Sequence, residues 1–149
     1  RSIAFDYFIR GKKTFKELLA PTAYKGPTFT SIACSIHKEP AKGYVLLQKT
    51  LQEIPDAVVV VYVGRSNGAG PVLSAITSVP VITVPASVKE FPEDIWSSLR
   101  APSNVPVMTI LEPSNATLAA LQILATHNPA LYAPLRYAQE KRAVNLVSI

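Results

Sequence analysis

Two short stretches bring together residue types that do chemistry in company. The first is Ser35-Ile36-His37-Lys38, an imidazole followed by an ammonium. Histidine changes charge nearest neutrality and so suits proton transfer, while a neighbouring lysine suits an anion. Taken alone, an exposed histidine in a polar turn is the plainer reading. The second is Gly64-Arg65-Ser66-Asn67-Gly68-Ala69-Gly70-Pro71. Its glycines allow positive φ angles and close approach of backbone to a ligand, and Arg65, Ser66 and Asn67 add side-chain donors. A helix opening after the loop would turn its amides and positive dipole end towards whatever binds there. The plain alternative is a glycine-rich strand-to-helix turn. The pattern is neither a Walker loop nor G-x-G-x-x-G, so no nucleotide reading follows. A third stretch, Arg10-Gly11-Lys12-Lys13-Thr14 with Lys16, is either a phosphate-binding loop or a solvated helix face.

These stretches need elements to carry them. Ala57–Val63 is a continuous β-branched run ending at Gly64, the mark of a strand covered on both faces. Val79–Val84 and Val105–Leu111 repeat the pattern and stop at Pro85 and Pro113; Thr28–Cys34 and Ile3–Ile9 are weaker strand candidates. Between them helices are predicted over Thr14–Ala20, Pro40–Ile54, Gly70–Ser78 (opening on Pro71), Ser114–Thr126 (capped by Ser114 or Asn115) and Pro129–Asn145. Alternating strands and helices give a doubly wound, mostly parallel α/β sheet. Ligands then sit beyond the carboxyl ends of the strands, in the loops after Ile9, Cys34 and Val63. Cys34 is expected to end a buried strand, Trp96 to pack a helix onto the sheet or a neighbouring subunit, and Glu112 to lie in a loop or cap. His127 is expected at a helix end, and Arg100 in a structural contact. Tyr132, Leu135 and Tyr137 are expected to be exposed on the last helix for docking on a neighbour.

Composition bounds the rest. A chain of 149 residues, with 48% hydrophobic and 17% charged residues, is one globular domain by length. Its one cysteine cannot close an internal disulfide, which points to a reducing compartment, the cytoplasm. Two histidines far apart in sequence, with no cysteine cluster, argue against a structural metal site. The net charge of +5 suits a phosphorylated metabolite. Nucleic acid is not expected, because no aromatic residues interleave with the basic ones. No apolar run reaches the roughly 18 residues of a membrane span. The chain begins at Arg1, which fits a processed product or a piece of a longer polypeptide.

Ser35-Ile-His-Lys38 resembles the Ser-Ala-His-Lys motif of aminoimidazole ribonucleotide (AIR) carboxylases, and Gly64–Pro71 resembles their second signature loop. Pro80-Val-Ile-Thr-Val-Pro85, Asp94-Ile-Trp-Ser-Ser-Leu-Arg100, Ala101-Pro-Ser103 and Leu111-Glu-Pro-Ser-Asn-Ala116 follow in the family's order. The resemblance covers roughly residues 31 to 140 and is strongest to the animal-type branch, which takes carbon dioxide directly. It implies a single three-layer, doubly wound, flavodoxin-like domain with C-terminal helices, spanning 1–149. It also implies a homo-octamer with sites between subunits, and a place in a bifunctional purine-pathway polypeptide. The implied reaction is carboxylation of C4 of AIR, with no metal, biotin or other cofactor. His37 would shuttle the proton and Lys38 would stabilise the new carboxylate. Ser35 and Gly64, Arg65, Ser66, Asn67 and Gly68 would bind substrate and carbon dioxide.

The pattern departs from the family in three places. The first loop, normally Gly-Ser-x-Ser-Asp, is absent, so residues 1–30 are divergent or truncated; Gly11, Lys12 and Lys13 are the candidates for the phosphate. Leu73-Ser-Ala-Ile-Thr77 replaces Ser-Gly-Asn-Thr, and Ala86-Ser87 replaces the second proline of a Pro-Pro pair. Two alternatives therefore stand beside the carboxylase. One is a catalytically impaired homologue serving as an oligomerisation or ligand-sensing module; the other is an enzyme on a related small metabolite.

Overall fold

The computed structural model describes residues 29–147, with side chains described as far as residue 144. Ile3–Ile9, Thr14–Ala20 and the cluster with Gly11, Lys12 and Lys13 lie outside that range. The described residues form three parallel strands, β1 (Val59–Val63), β2 (Val81–Pro85) and β3 (Val107–Thr109), in the order β1-β2-β3. Val59 pairs with Val81 and Val81 with Val107, and the register holds to Val63↔Pro85 and Thr83↔Thr109. The helices are α1 (Pro40–Glu53), α2 (Ala69–Ala75), α3 (Ile95–Leu99, led in by a single 3₁₀ turn at Pro92–Asp94), α4 (Pro113–Ala125) and α5 (Pro129–Val147).

Central β2 is buried at every residue, as its β-branched composition requires of a strand with a layer on each side. One face, Ile82 and Val84, packs with Val60 and Tyr62 of β1 against Ala116, Ala119, Ala120 and Ile123 of α4. The opposite face carries Thr83. A Cβ added to Gly70 of α2 would collide with the Thr83 methyl group, so only glycine lets α2 lie this close to the sheet. The result is three layers, α4 | sheet | α2 with α3. Helix α4 is apolar nearly all round because it is covered twice. Its Leu121 and Ala125 form a second cluster with Leu131 and Leu135 of α5.

Pro85 stands in a central strand without harm. Thr83 accepts the Ile110 amide at 2.9 Å on the β3 side, β3 itself stops at Thr109, and Ala86 resumes bonding to Val63 at 2.8 Å on the β1 side. The missing N–H of Pro85 therefore falls where β3 no longer needs a donor.

Several expectations change. Phe29–Cys34 is not a strand, because no described residue offers it a ladder partner; Cys34 is only half-buried. Helix α4 begins on Pro113, whose fixed φ suits the first turn, after an extended Glu112; neither Ser114 nor Asn115 is the cap. Leu135 is 5% exposed and belongs to the core, whereas Tyr132 and Tyr137 are exposed as expected. Trp96, at 52% exposure, does not pack onto the sheet; Arg100 stacks over its ring at 5.2 Å. No helix of the described residues is long and apolar enough to cross a membrane.

Ile82 has 0% exposure and neighbours on every side. Ile82→Ala should cost about 2–5 kcal/mol and Ile82→Val about 0.5–1.5 kcal/mol, read from urea midpoints at unchanged m-value.

Candidate active site

His37 lies in a tight turn, Ile36–Lys38, just ahead of α1. The Ser35 carbonyl closes the turn by accepting the amides of Lys38 at 3.1 Å and Glu39 at 2.7 Å. The Gly64–Gly68 loop leaves the carboxyl end of β1 and enters α2. The two meet directly. A Cβ built on Gly68 would overlap the His37 Nε2 and stand 3.0 Å from Cδ2 and 3.2 Å from Cε1. The tip of the imidazole is thus seated on a glycine that has ordinary negative φ, −79°. Gly68 serves close approach, not an unusual backbone angle.

A cavity of about 890 Å³ opens beside this contact. Its lining includes Ser35, His37, Gly64, Arg65 and Ser66 near the carboxyl end of β1, the residues of β1 itself, and Thr117, Ala120, Leu121 and Leu124 of α4. Lys38 is exposed and does not line the cavity. The Arg65 guanidinium lies over the Phe91 ring at 3.7 Å, a cation–π contact that fixes its direction. Among the described residues no group of His, Cys, Asp or Glu could hold a metal ion.

The loop's backbone is not the one its glycines suggest. Its positive-φ residue is Ser66, at 55°, and no glycine of the loop has positive φ. A non-glycine there costs about 1–2 kcal/mol, and the amide of Ser66 donates to both carboxylate oxygens of Asp94, at 2.9 and 3.0 Å. Charge-assisted bonds of this kind contribute about 1.5–3 kcal/mol; the lower end applies because Ser66 is exposed. Asn67 is buried, at 4% exposure. Its amide donates to Ser97 Oγ at 2.8 Å, its Nδ2 to Ser98 Oγ at 3.0 Å, and its Oδ1 accepts the Gly70 amide at 2.9 Å. That last bond makes Asn67 the effective cap of α2. The Gly68 amide turns back to the Ser66 carbonyl at 2.6 Å. The expectation that these amides face a ligand therefore changes: those of 66, 67, 68 and 70 are bonded within the protein. The side-chain donors this loop leaves to a ligand are the Ser66 hydroxyl and the Arg65 guanidinium.

The partners Asp94, Ser97 and Ser98 carried no role in the sequence reading. Their signal was present only as a short Asp-Ile-Trp-Ser-Ser run, and nothing local says that it reaches residues some thirty positions away.

Comparison with known proteins now bears on this arrangement. The AIR carboxylase family model matches residues 16–145. The chain belongs to the AIR carboxylase family. It is 45% identical over 89 residues to the probable multifunctional protein ADE2 of Caenorhabditis elegans, covering 60% of this chain and 21% of that protein. It is 39% identical over 103 residues to the bifunctional phosphoribosylaminoimidazole carboxylase/phosphoribosylaminoimidazole succinocarboxamide synthetase of Mus musculus, covering 68% of this chain and 24% of that protein. The chain thus spans about a fifth to a quarter of these animal relatives, in keeping with the animal-type motifs of its loops. The fold matches Treponema denticola PurE with a TM-score of 0.83 at 21% identity, over 99% of this chain and 90% of that one. This AIR carboxylase family member therefore has the family's doubly wound fold.

The seating of His37 on Gly68 makes a direct prediction. The chain has two histidines, so His127, at the end of α4, serves as an internal reference. Gly68→Ala should shift the ring resonances of His37 and leave those of His127 in place. Unchanged His37 resonances would show that the ring does not rest on the loop.

Proposed function

We propose that this chain is an AIR carboxylase domain, a carboxy-lyase that joins carbon dioxide to C4 of 5-aminoimidazole ribonucleotide in de novo purine biosynthesis. The observation that carries the reading is the contact of His37 with the glycine loop beside a cavity that both His37 and the loop line, in a chain of this family.

The chemistry follows from the groups present. The ring amine makes C4 electron-rich, and its electron pair attacks the carbon of carbon dioxide to form the new C–C bond. C4 is then tetrahedral and the positive charge lies on the exocyclic nitrogen at C5. The C4–H pair returns to the ring as the proton leaves for His37, positioned within reach of the loop. Holding both reactants in one cavity replaces an encounter in solution by a contact, the main saving in a reaction that uses no activated intermediate. The Ser66 hydroxyl and Arg65 guanidinium are the donors for the developing carboxylate. Ser35 orients the ring, and Lys38 adds positive charge beside the turn. Asn67 and Gly68 act behind them, as cap and as seat. Gly64 is exposed, and a Cβ there would meet no described atom within 4 Å. No described residue requires a glycine at that position, and we assign the open space there to the substrate passing close to it. Gly11, Lys12 and Lys13 are proposed for the 5′-phosphate on charge alone. A homo-octamer with sites between subunits, a cytoplasmic setting and fusion to a second purine-pathway enzyme complete the reading; its support is family membership.

Wild type should carboxylate AIR with excess bicarbonate and no ATP, and His37→Asn should lose about 10²–10⁴-fold in kcat. A folded wild-type protein with no turnover would replace the enzyme by a non-catalytic homologue. Gly64→Ala should keep its melting temperature but raise KM for AIR about tenfold; an unchanged KM would remove Gly64 from the substrate path.

A further inference from the structure

We infer that the segment from Phe91 to Ser98 is a clamp whose Asp94, Ser97 and Ser98 are positioning residues for the site loop, acting through Ser66 and Asn67. The inference rests on the carboxylase reading for its kinetic arm and on geometry alone for the rest. The clamp addresses the loop residue by residue. Phe91 lies under Arg65 at 3.7 Å, Asp94 takes the Ser66 amide at 2.9 and 3.0 Å, Ser97 takes the Asn67 amide at 2.8 Å, and Ser98 takes the Asn67 side chain at 3.0 Å. The clamp is braced in turn. The Ser97 hydroxyl donates to the Asp94 carbonyl at 2.7 Å, which leaves its oxygen free to accept from Asn67. The Ser98 carbonyl accepts from Thr109 Oγ1 at 2.9 Å, tying the short helix to β3.

Four successive contacts on three successive loop residues are more than a short helix needs for its own stability. Ser66 has its left-handed φ of 55° while its amide is held by a carboxylate, and the same residue carries the hydroxyl left to a ligand. Fixing that backbone fixes where the Ser66 hydroxyl and the neighbouring Arg65 side chain project. Asp94 itself does not line the cavity, so it reaches the chemistry only through the loop. A clamp of this kind holds donors where charge develops and contributes little to binding the bulk of the substrate, so its loss should appear in kcat before KM.

The test compares Asp94→Ala, Asp94→Asn and Ser98→Ala with Glu93→Ala, an exposed neighbour on the same turn, as control. Amide hydrogen exchange of the ligand-free protein is measured alongside AIR carboxylation. Asp94→Ala should exchange the Ser66 and Asn67 amides about tenfold faster while β2 keeps its protection. In the same variant kcat should fall about 10- to 100-fold with KM for AIR held within roughly threefold. Asp94→Asn should recover much of both, because its amide oxygen still accepts the Ser66 N–H. Ser98→Ala should loosen Asn67 more than Ser66, and Glu93→Ala should change nothing. Unchanged exchange at Ser66 in Asp94→Ala would overturn the clamp. So would faster exchange spread evenly through β2 and α4, which describes a merely structural residue. If wild type does not carboxylate AIR, the functional reading fails by itself, and the exchange results still decide the clamp.

Discussion

A buried carboxamide must find partners for both its oxygen and its nitrogen, and Asn67 finds them inside the fold. Its oxygen caps α2 through Gly70, its nitrogen reaches Ser98, and its backbone amide reaches Ser97. Leaving such a group unpaired would cost about 1–3 kcal/mol, so the loop, α2 and α3 are fixed together or not at all. The chain of contacts continues inward. Ser98 accepts from Thr109, whose hydroxyl lies 3.3 Å from that of Thr83, and Thr83 donates to the Met108 carbonyl at 3.1 Å. One polar thread therefore runs from the site loop, through the helix that holds it, into the middle of the sheet.

That thread lies on the sheet face opposite α4, and the division of labour between the faces is physical. The α4 face is apolar and supplies burial through Ile82, Val84 and Ala116. The other face uses small and hydroxyl residues, Gly70, Thr83, Ser98 and Thr109, which let helices approach closely and bond side to side. Burial gives cohesion without direction; the hydroxyls give direction. A site needing donors held to within a fraction of an ångström depends on the second kind of contact.

Sequence alone places the strands at 57–63, 79–84 and 105–111 to within two residues at every end, because continuous β-branched runs between prolines have few other homes. It also brought His37 and the glycine loop to the same end of the sheet, through the rule that ligands sit at strand carboxyl ends. It failed where the deciding contact is remote. Phe29–Cys34 has strand composition, but a strand is made by its partner. Ser97 and Ser98 look like surface serines until Asn67 arrives from thirty residues away. Local propensity points to the glycines for positive φ and cannot anticipate that a carboxylate will hold Ser66 in that region. Leu135 turns inward because α4 covers it, a contact that the sequence of α5 does not contain.

The three glycines of the loop are glycines for three reasons, and the difference bears on what the site can bind. Gly70 makes room for Thr83, Gly68 makes room for His37, and Gly64 makes room for no described atom of the protein. The first two convert small size into packing, so they belong to the scaffold that aims the histidine. Four of the loop amides, those of 66, 67, 68 and 70, are likewise spent on the scaffold, so backbone N–H groups at this helix start supply only a small part of any anion hole. A carboxylate forming here would meet side-chain donors, Ser66 and Arg65, carried on a backbone that the rest of the protein has already immobilised. Such donors need no reorganisation as charge develops, yet each is replaceable one residue at a time. The rigidity of this loop therefore comes from its partners on α3, and its chemistry from the few side chains those partners leave unbound.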